Sequence, residues 1–167
     1  AEHKRTSQEL VRRGINHMNA RDYCTAVKDF DGVLLLIVDP GELPGLEASL
    51  SNDTSLVSGT IDINALALHP LYVIELREQC KRKQKAQELQ KLGEIAFKAQ
   101  DWAKAVELFL EALSYDPDNA KIKDEEVLAE KYKRSEELKK LGDTQVAAEK
   151  FEDALGSYRT ALSLNPN

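Results

Sequence analysis

Residues 86–119 read AQELQKLGEIAFKAQDWAKAVELFLEALSYDPDN, and residues 135–167 read SEELKKLGDTQVAAEKFEDALGSYRTALSLNPN. Laid over one another, Leu89, Leu92, Gly93, Ala105, Phe109, Ala112 and Pro117 fall on Leu138, Leu141, Gly142, Ala154, Tyr158, Ala161 and Pro166. Leu89, Leu92 and Ala96 recur at i, i+3 and i+7, which places them on one face of an α-helix. Gly93 lies on that stripe, where a side chain would hold a second helix away. Glycine in mid-helix costs about 1 kcal/mol against alanine, so close packing has to compensate. Ala105 and Ala112 keep the second helix thin, and Phe109 fills the space between them. Asp101-Trp102 marks the turn between the helices. Pro117 and Pro166 end the second helices, because proline cannot continue the hydrogen-bond ladder. The fold class is therefore all-α, built from antiparallel helix pairs.

A third, degenerate copy occupies residues 7–40. Gly14 takes the glycine position, Leu10 precedes it as Leu89 precedes Gly93, and Ala26 and Phe30 keep the spacing of Ala105 and Phe109. Tyr23 matches Trp102 and Val33 stands at the place of Ala112, while Pro40 falls two residues late. The whole pattern resembles the tetratricopeptide repeat, a 34-residue helix–turn–helix unit. The resemblance implies a short helical solenoid whose concave face binds other chains.

The copies are not in plain tandem. Gly93 and Gly142 stand 49 residues apart, and the surplus over the repeat length lies before each first helix. Residues 70–85 (PLYVIELREQCKRKQK) and 120–134 (AKIKDEEVLAEKYKR) are helical in composition, so the first helices of these two repeats are expected to extend backwards by about four turns. Pro70 suits the first position of such a helix. The alternative is a separate helix with a kink near Lys85 or Arg134. Residues 41–69 are an irregular acidic insertion with helix-breaking Gly41, Pro44 and Gly45, a polar stretch at 51–60, and a short helix at 63–68 capped by Asp62. The expected organisation is a degenerate helix pair at 1–40, the insertion at 41–69, an extended helix plus repeat at 70–119, and another at 120–167. No capping helix follows Pro166, which predicts that the sequence is a piece of a longer protein.

Bulk composition narrows the partners. The chain has 167 residues, of which 42% are hydrophobic and 31% charged, with a net charge of −6. That balance argues against nucleic acid and anionic membrane as targets. The longest apolar run, Val33 to Val38, is far short of a membrane span and reads as a buried helix end. The basic run Arg77, Lys81, Arg82, Lys83 and Lys85 reads as the solvated face of a helix rather than a nucleic-acid patch. Cys24 and Cys80 form no CxxC pair and read as reduced helix residues, which fits a cytoplasmic or nuclear address.

Nothing in the motifs points to catalysis. His3, His17 and His69 fall in a tail, a helix and a loop, without ligand spacing, and no phosphate-binding loop or nucleophile elbow occurs. No cofactor or metal is implied, and the chain is read as a non-enzymatic interaction module. The resemblance implies that groove-facing residues come from the first helix of each repeat. These are Gln87, Gln90, Glu94, Phe97 and Lys98, then Glu136, Lys139, Asp143, Val146 and Ala147, and in the degenerate copy Gln8, Val11, Ile15, Met18 and Asn19. Co-chaperone repeat domains grip a heat-shock chaperone tail with Lys and Asn at two of these places. Here Gln90 and Glu94, then Lys139 and Asp143, stand there, so the clamp is incomplete. Residues 69–119 are also similar in layout to the repeat arrays of J-domain co-chaperones, where a lysine-rich helix runs into the next repeat. The expected function is a scaffold or adaptor that binds a peptide or helix of a partner protein. The alternatives are a co-chaperone segment and a piece that self-associates through Leu155, Tyr158 and Leu162 of an uncapped last repeat.

Overall fold

The computed structural model describes residues 2–39, 41–44 and 69–166. The expected insertion falls largely outside them, including the polar stretch, Asp62 and the 63–68 helix, as does Pro40. Among the described residues there are six helices and no strand: α1 (Glu2–Asn19), α2 (Tyr23–Ile37), α3 (Pro70–Lys98), α4 (Trp102–Tyr115), α5 (Ala120–Ala147) and α6 (Phe151–Leu164). Both first helices of the later repeats are extended. α3 runs unbroken for 29 residues and α5 for 28, so neither divides at Lys85 or Arg134. α1 is already helical at Glu2, so the stretch carrying His3 is helix and not tail.

The chain forms two compact units, Ala1–Gln84 and Lys85–Asn167. In the first unit α1 and α2 pack as a pair, and the N-terminal half of α3 lies against them. Val11, Ala26, Phe30 and Val33 share one core with Val73, Ile74 and Cys80. Arg77 joins this edge. It is 5% exposed and pairs with Asp31 at 3.2 Å and Glu78 at 3.1 Å. The basic run is therefore not one solvated face: its first member is buried, while Lys81, Arg82 and Lys85 stay exposed. In the second unit α3–α4 and α5–α6 are the pairs, and Leu89, Ala105, Phe109 and Ala112 share a core with Ile122 and Ala129 of α5.

The glycines explain why these helices pair. A Cβ built on Gly93 would lie 2.6 Å from Phe109 Cε1, one on Gly142 2.6 Å from Tyr158 Cε1, and one on Gly14 2.7 Å from Phe30 Cε1. The degenerate first copy thus makes the same ring-on-glycine contact as the other two. The turns also repeat. Arg21, Gln100 and Glu149 each take φ near +60° (61°, 61° and 60°), seven residues after their glycine. Asp22 and Asp101 then cap α2 and α4, their carboxylates accepting from Thr25 N at 3.2 Å and Lys104 N at 3.1 Å. The third copy has Lys150 at this place, with the same backbone and no side-chain cap.

Two apolar stretches pack differently from their sequence reading. Leu92 is 51% exposed and Leu141 47%, because the packed face runs through Ala86, Leu89, Gln90 and Gly93, at i, i+3, i+4 and i+7. Leu92 lies one residue before Gly93 and so turns about 100° away from it. In the run from Val33 to Val38 only Val33 and Leu34 are buried, while Leu35 is 75% exposed.

Three substitutions have a defined effect on stability. Gly93→Ala will destabilise the second unit by about 1–2 kcal/mol despite alanine's better helix propensity, since Phe109 is enclosed and cannot yield. Gly156→Ala, which meets nothing within 4 Å, will instead stabilise by up to about 1 kcal/mol. Urea denaturation of both variants checks the contrast, and equal midpoints would remove the ring-on-glycine account. Lys150→Asp will install the absent cap and stabilise by about 1 kcal/mol, read as a raised Tm.

Candidate functional site

The groove-facing residues drawn from the resemblance separate into distinct environments. In the first unit Val11 is buried, and Ile15 and Met18 pack against the core that also receives α3, so they serve the fold there. In the second unit the α3 residues meet α5. Gln90 Nε2 donates to Glu125 Oε2 at 2.8 Å, and Lys121 Nζ donates to Glu94 Oε1 at 2.9 Å. The Lys121 ammonium holds the Glu94 carboxyl below its usual range, chiefly through that hydrogen bond, and the Lys121 pKa is raised in turn. Phe97 belongs to an aromatic triad. Its ring stacks on Tyr132 at 5.4 Å and meets the edge of Trp102 at 4.9 Å, while Trp102 and Tyr132 cross at 5.0 Å. Edge-to-face pairs of this kind contribute about 0.5–1.5 kcal/mol each beyond burial. Gln87 is half-buried and Lys98 exposed.

The α5 residues are more accessible. Glu136 pairs with Lys140 at 2.8 Å along the helix surface, and Lys139 is exposed. Asp143 accepts from the Tyr158 hydroxyl at 2.6 Å, and Val146 and Ala147 are exposed near the helix end. Glu136 and Lys139 are brought together in a pocket of about 580 Å³, a size within the range of ligand clefts. Its floor and walls come from the end of the α3–α4 turn, from α5 and from α6. Tyr132 and Trp102 give one wall, Tyr158 and Leu162 the other, and Ser135 closes the base by donating its hydroxyl to the Ala161 carbonyl at 2.8 Å.

Sequence reasoning had Glu136, Lys139, Tyr158 and Leu162 in view and missed Tyr132 and Ser135. Tyr132 stands three residues after the buried Ala129 on α5, the spacing of neighbours on a helix surface; that spacing was the available signal. The surroundings of the pocket are chemically mixed. Lys139 is exposed and lines the pocket beside Glu136, whose carboxylate is paired with Lys140.

Compared with known families, residues 84–119 match the model of the tetratricopeptide repeat. Comparison with curated proteins and with solved structures returned no match. The matched segment contains the C-terminal half of α3 and the whole of α4.

Hydrogen bonding to Asp143 raises the Tyr158 pKa. A phenol whose folded pKa is raised contributes stability that is complete below its unfolded value of about 10 and is lost as pH climbs through the folded value. Asp143→Asn will therefore let Tyr158 ionise at a lower pH, closer to an ordinary tyrosine. Ultraviolet difference titration of the two proteins checks this, and superimposable curves would mean that the bond does not form in solution.

Proposed function

We propose that this chain, which carries a tetratricopeptide repeat at residues 84–119, is a non-enzymatic scaffold or adaptor that holds a peptide or helix of a partner protein at the pocket between α5 and α6. Repeats of this family act generally as protein-interaction modules. The observation that carries the finer reading is the convergence of Glu136, Lys139, Tyr158 and Leu162 on one open cleft. Aromatic walls supply contact area at low entropic cost, and the neighbouring charges of Lys139 and Glu136 supply selectivity.

Other features accord with this reading. No described helix is long and apolar enough to cross a membrane. Cys24 is exposed and Cys80 buried, both as free thiols, and burial pushes the Cys80 thiol up to about 11. Such thiols suit a reducing compartment, the cytoplasm or the nucleus. A heat-shock chaperone tail is a poor fit, since its paired carboxylates would meet Glu136 beside Lys139 in the pocket lining. Self-association is the second reading, and the exposure of Leu155 and Leu162 on α6 favours it.

Capture of a protein partner on the immobilised chain tests the proposal. Lys139→Glu and Leu162→Glu should each reduce recovery of the partner by tenfold or more, corresponding to about 1.4 kcal/mol. Arg12→Glu, on an exposed part of α1, should leave it unchanged. Recovery that all three variants share with the parent would place binding elsewhere.

A further inference from the structure

Beside the ring-on-glycine contact, each helix pair makes a second contact, and its chemistry differs from pair to pair. Three residues after the glycine, the first helices carry His17, Ala96 and Gln145. One residue before the ring, the second helices carry Asp29, Leu108 and Ser157. In the second pair Ala96 and Leu108 pack against the core. In the third pair Ser157 donates to Gln145 Oε1 at 2.7 Å, a neutral hydrogen bond. The first pair places titratable groups at both positions.

Asp29 is 3% exposed. Its Oδ1 accepts from Arg13 Nε at 3.0 Å and also from Nη2 of the same guanidinium. Its Oδ2 is buried and accepts no hydrogen bond among the described residues. His17 faces that oxygen, with Nε2 at 3.8 Å. The other ring nitrogen, Nδ1, lies 3.6 Å from Asp22 Oδ2 in the turn between α1 and α2. The imidazole thus stands between two carboxylates, one at each nitrogen, and its side chain is 34% exposed, so protons reach it from solvent.

A neutral imidazole has one N–H and can serve one of these carboxylates. An imidazolium has two and serves both. A buried carboxylate oxygen without a donor is costly, so the second donor matters most at Asp29. Charge balance points the same way, because Arg13 offsets one carboxylate and a protonated His17 offsets the other. The surrounding charges are Glu9 on α1, acting on Arg13, and Lys28 on α2, acting on Asp22. From α3, the buried Arg77 is directed to Asp31 and Glu78.

We infer that His17 is a pH-sensitive latch on the α1–α2 pair: protonated, it bridges Asp29 and Asp22 and ties the end of α1 to α2 and the turn, and neutral, it leaves one of them without a donor. The latch is independent of the pocket between α5 and α6. Its contribution is present when the ring is charged. It grows as pH falls from about 8 to about 5.5, the interval in which histidine ordinarily changes charge, and is lost as pH rises through it. Asp22 is held below the usual carboxylate range, chiefly by its hydrogen bonding with Thr25, so it stays ionised across that interval. The stability that Asp22 itself lends fades only at more acid pH.

Amide hydrogen exchange of the whole chain, followed by mass spectrometry and expressed against the intrinsic rate at each pH, tests the latch. Protection of peptides from α1 and α2 should be at least about threefold higher at about pH 6 than at about pH 7.5. Peptides from α4, whose pair has Ala96 and Leu108 at the equivalent places, should lack this rise. His17→Gln should abolish it. Asp22→Asn, which keeps a side-chain cap on α2, should reduce it. The double change His17→Gln with Asp29→Ser copies the Gln145–Ser157 contact of the third pair, and gives the same reading if the single change unfolds α1. No rise in the parent, or a rise of parent size in any of these variants, overturns the inference.

Discussion

Everything in this fold depends on how closely two helices approach at one residue. A ring on the second helix packs against a glycine on the first, and it does so in all three pairs: Phe30 on Gly14, Phe109 on Gly93 and Tyr158 on Gly142. A methyl group at the glycine would overlap the ring. The helices approach because the glycine has no side chain, and the alanines flanking the ring, such as Ala105 and Ala112, are fully buried by that approach. The cost of glycine in a helix, about 1 kcal/mol, is offset by burying an aromatic ring, which brings roughly 1.5–3 kcal/mol. Tyr158 departs from the other two in being only half-buried, and its hydroxyl reaches Asp143. The same contact that makes a closed core in two pairs makes the wall of an open cleft in the third.

Close pairing also sets what comes next in the chain. Two helices in contact still have one broad apolar side bare, and a solenoid buries it under the following helix. Here that duty belongs to the N-terminal halves of α3 and α5, while their C-terminal halves enter pairs of their own. The surplus before each first helix is thus a covering segment fused without a break to the helix that starts the next pair. Fusion has an energetic consequence. A continuous helix needs no second nucleation and no capping of two extra ends, each of which leaves four backbone groups unsatisfied.

The sequence disclosed this design unevenly. Glycine, alanine and proline positions were readable because each acts through size or backbone alone, and Gly14 identified a third pair even where Pro40 and Val33 depart from the pattern. Helix extension was readable because residues 70–85 and 120–134 contain nothing that would stop a helix. What failed to show was which side of a helix is covered. Leu92 and Leu141 look like core residues, yet they sit one position off the packed face. Arg77 looks like a solvent residue, yet it is enclosed by Asp31 and Glu78. Hydrophobicity alone cannot separate these cases, since burial depends on a neighbour that is distant in sequence. The contacts of the site residues were likewise hidden: Gln90, Glu94 and Phe97 meet Glu125, Lys121 and Tyr132 of α5, partners that lie 27 to 35 residues away in sequence.

Those three residues show how order along the array is kept. The first seat presents Val11, Ile15 and Met18, and takes a cover bearing Tyr72, Val73 and Leu76. The second presents Gln90 and Glu94, and takes one bearing Lys121 and Glu125. Exchanging the covers would bring Lys121 and Glu125 onto an apolar seat and take from Gln90 its shorter hydrogen bond, the one to Glu125. Each buried polar group left unsatisfied costs about 1–3 kcal/mol, and an enclosed unpaired charge costs more. The correct pairs gain only modestly, because Lys121 and Glu94 remain partly open to water. Specificity therefore comes mainly from what a wrong cover would lose. Polar residues at positions equivalent to Val11 and Ile15 give up some stability, and in return each seat rejects the cover that belongs to its neighbour.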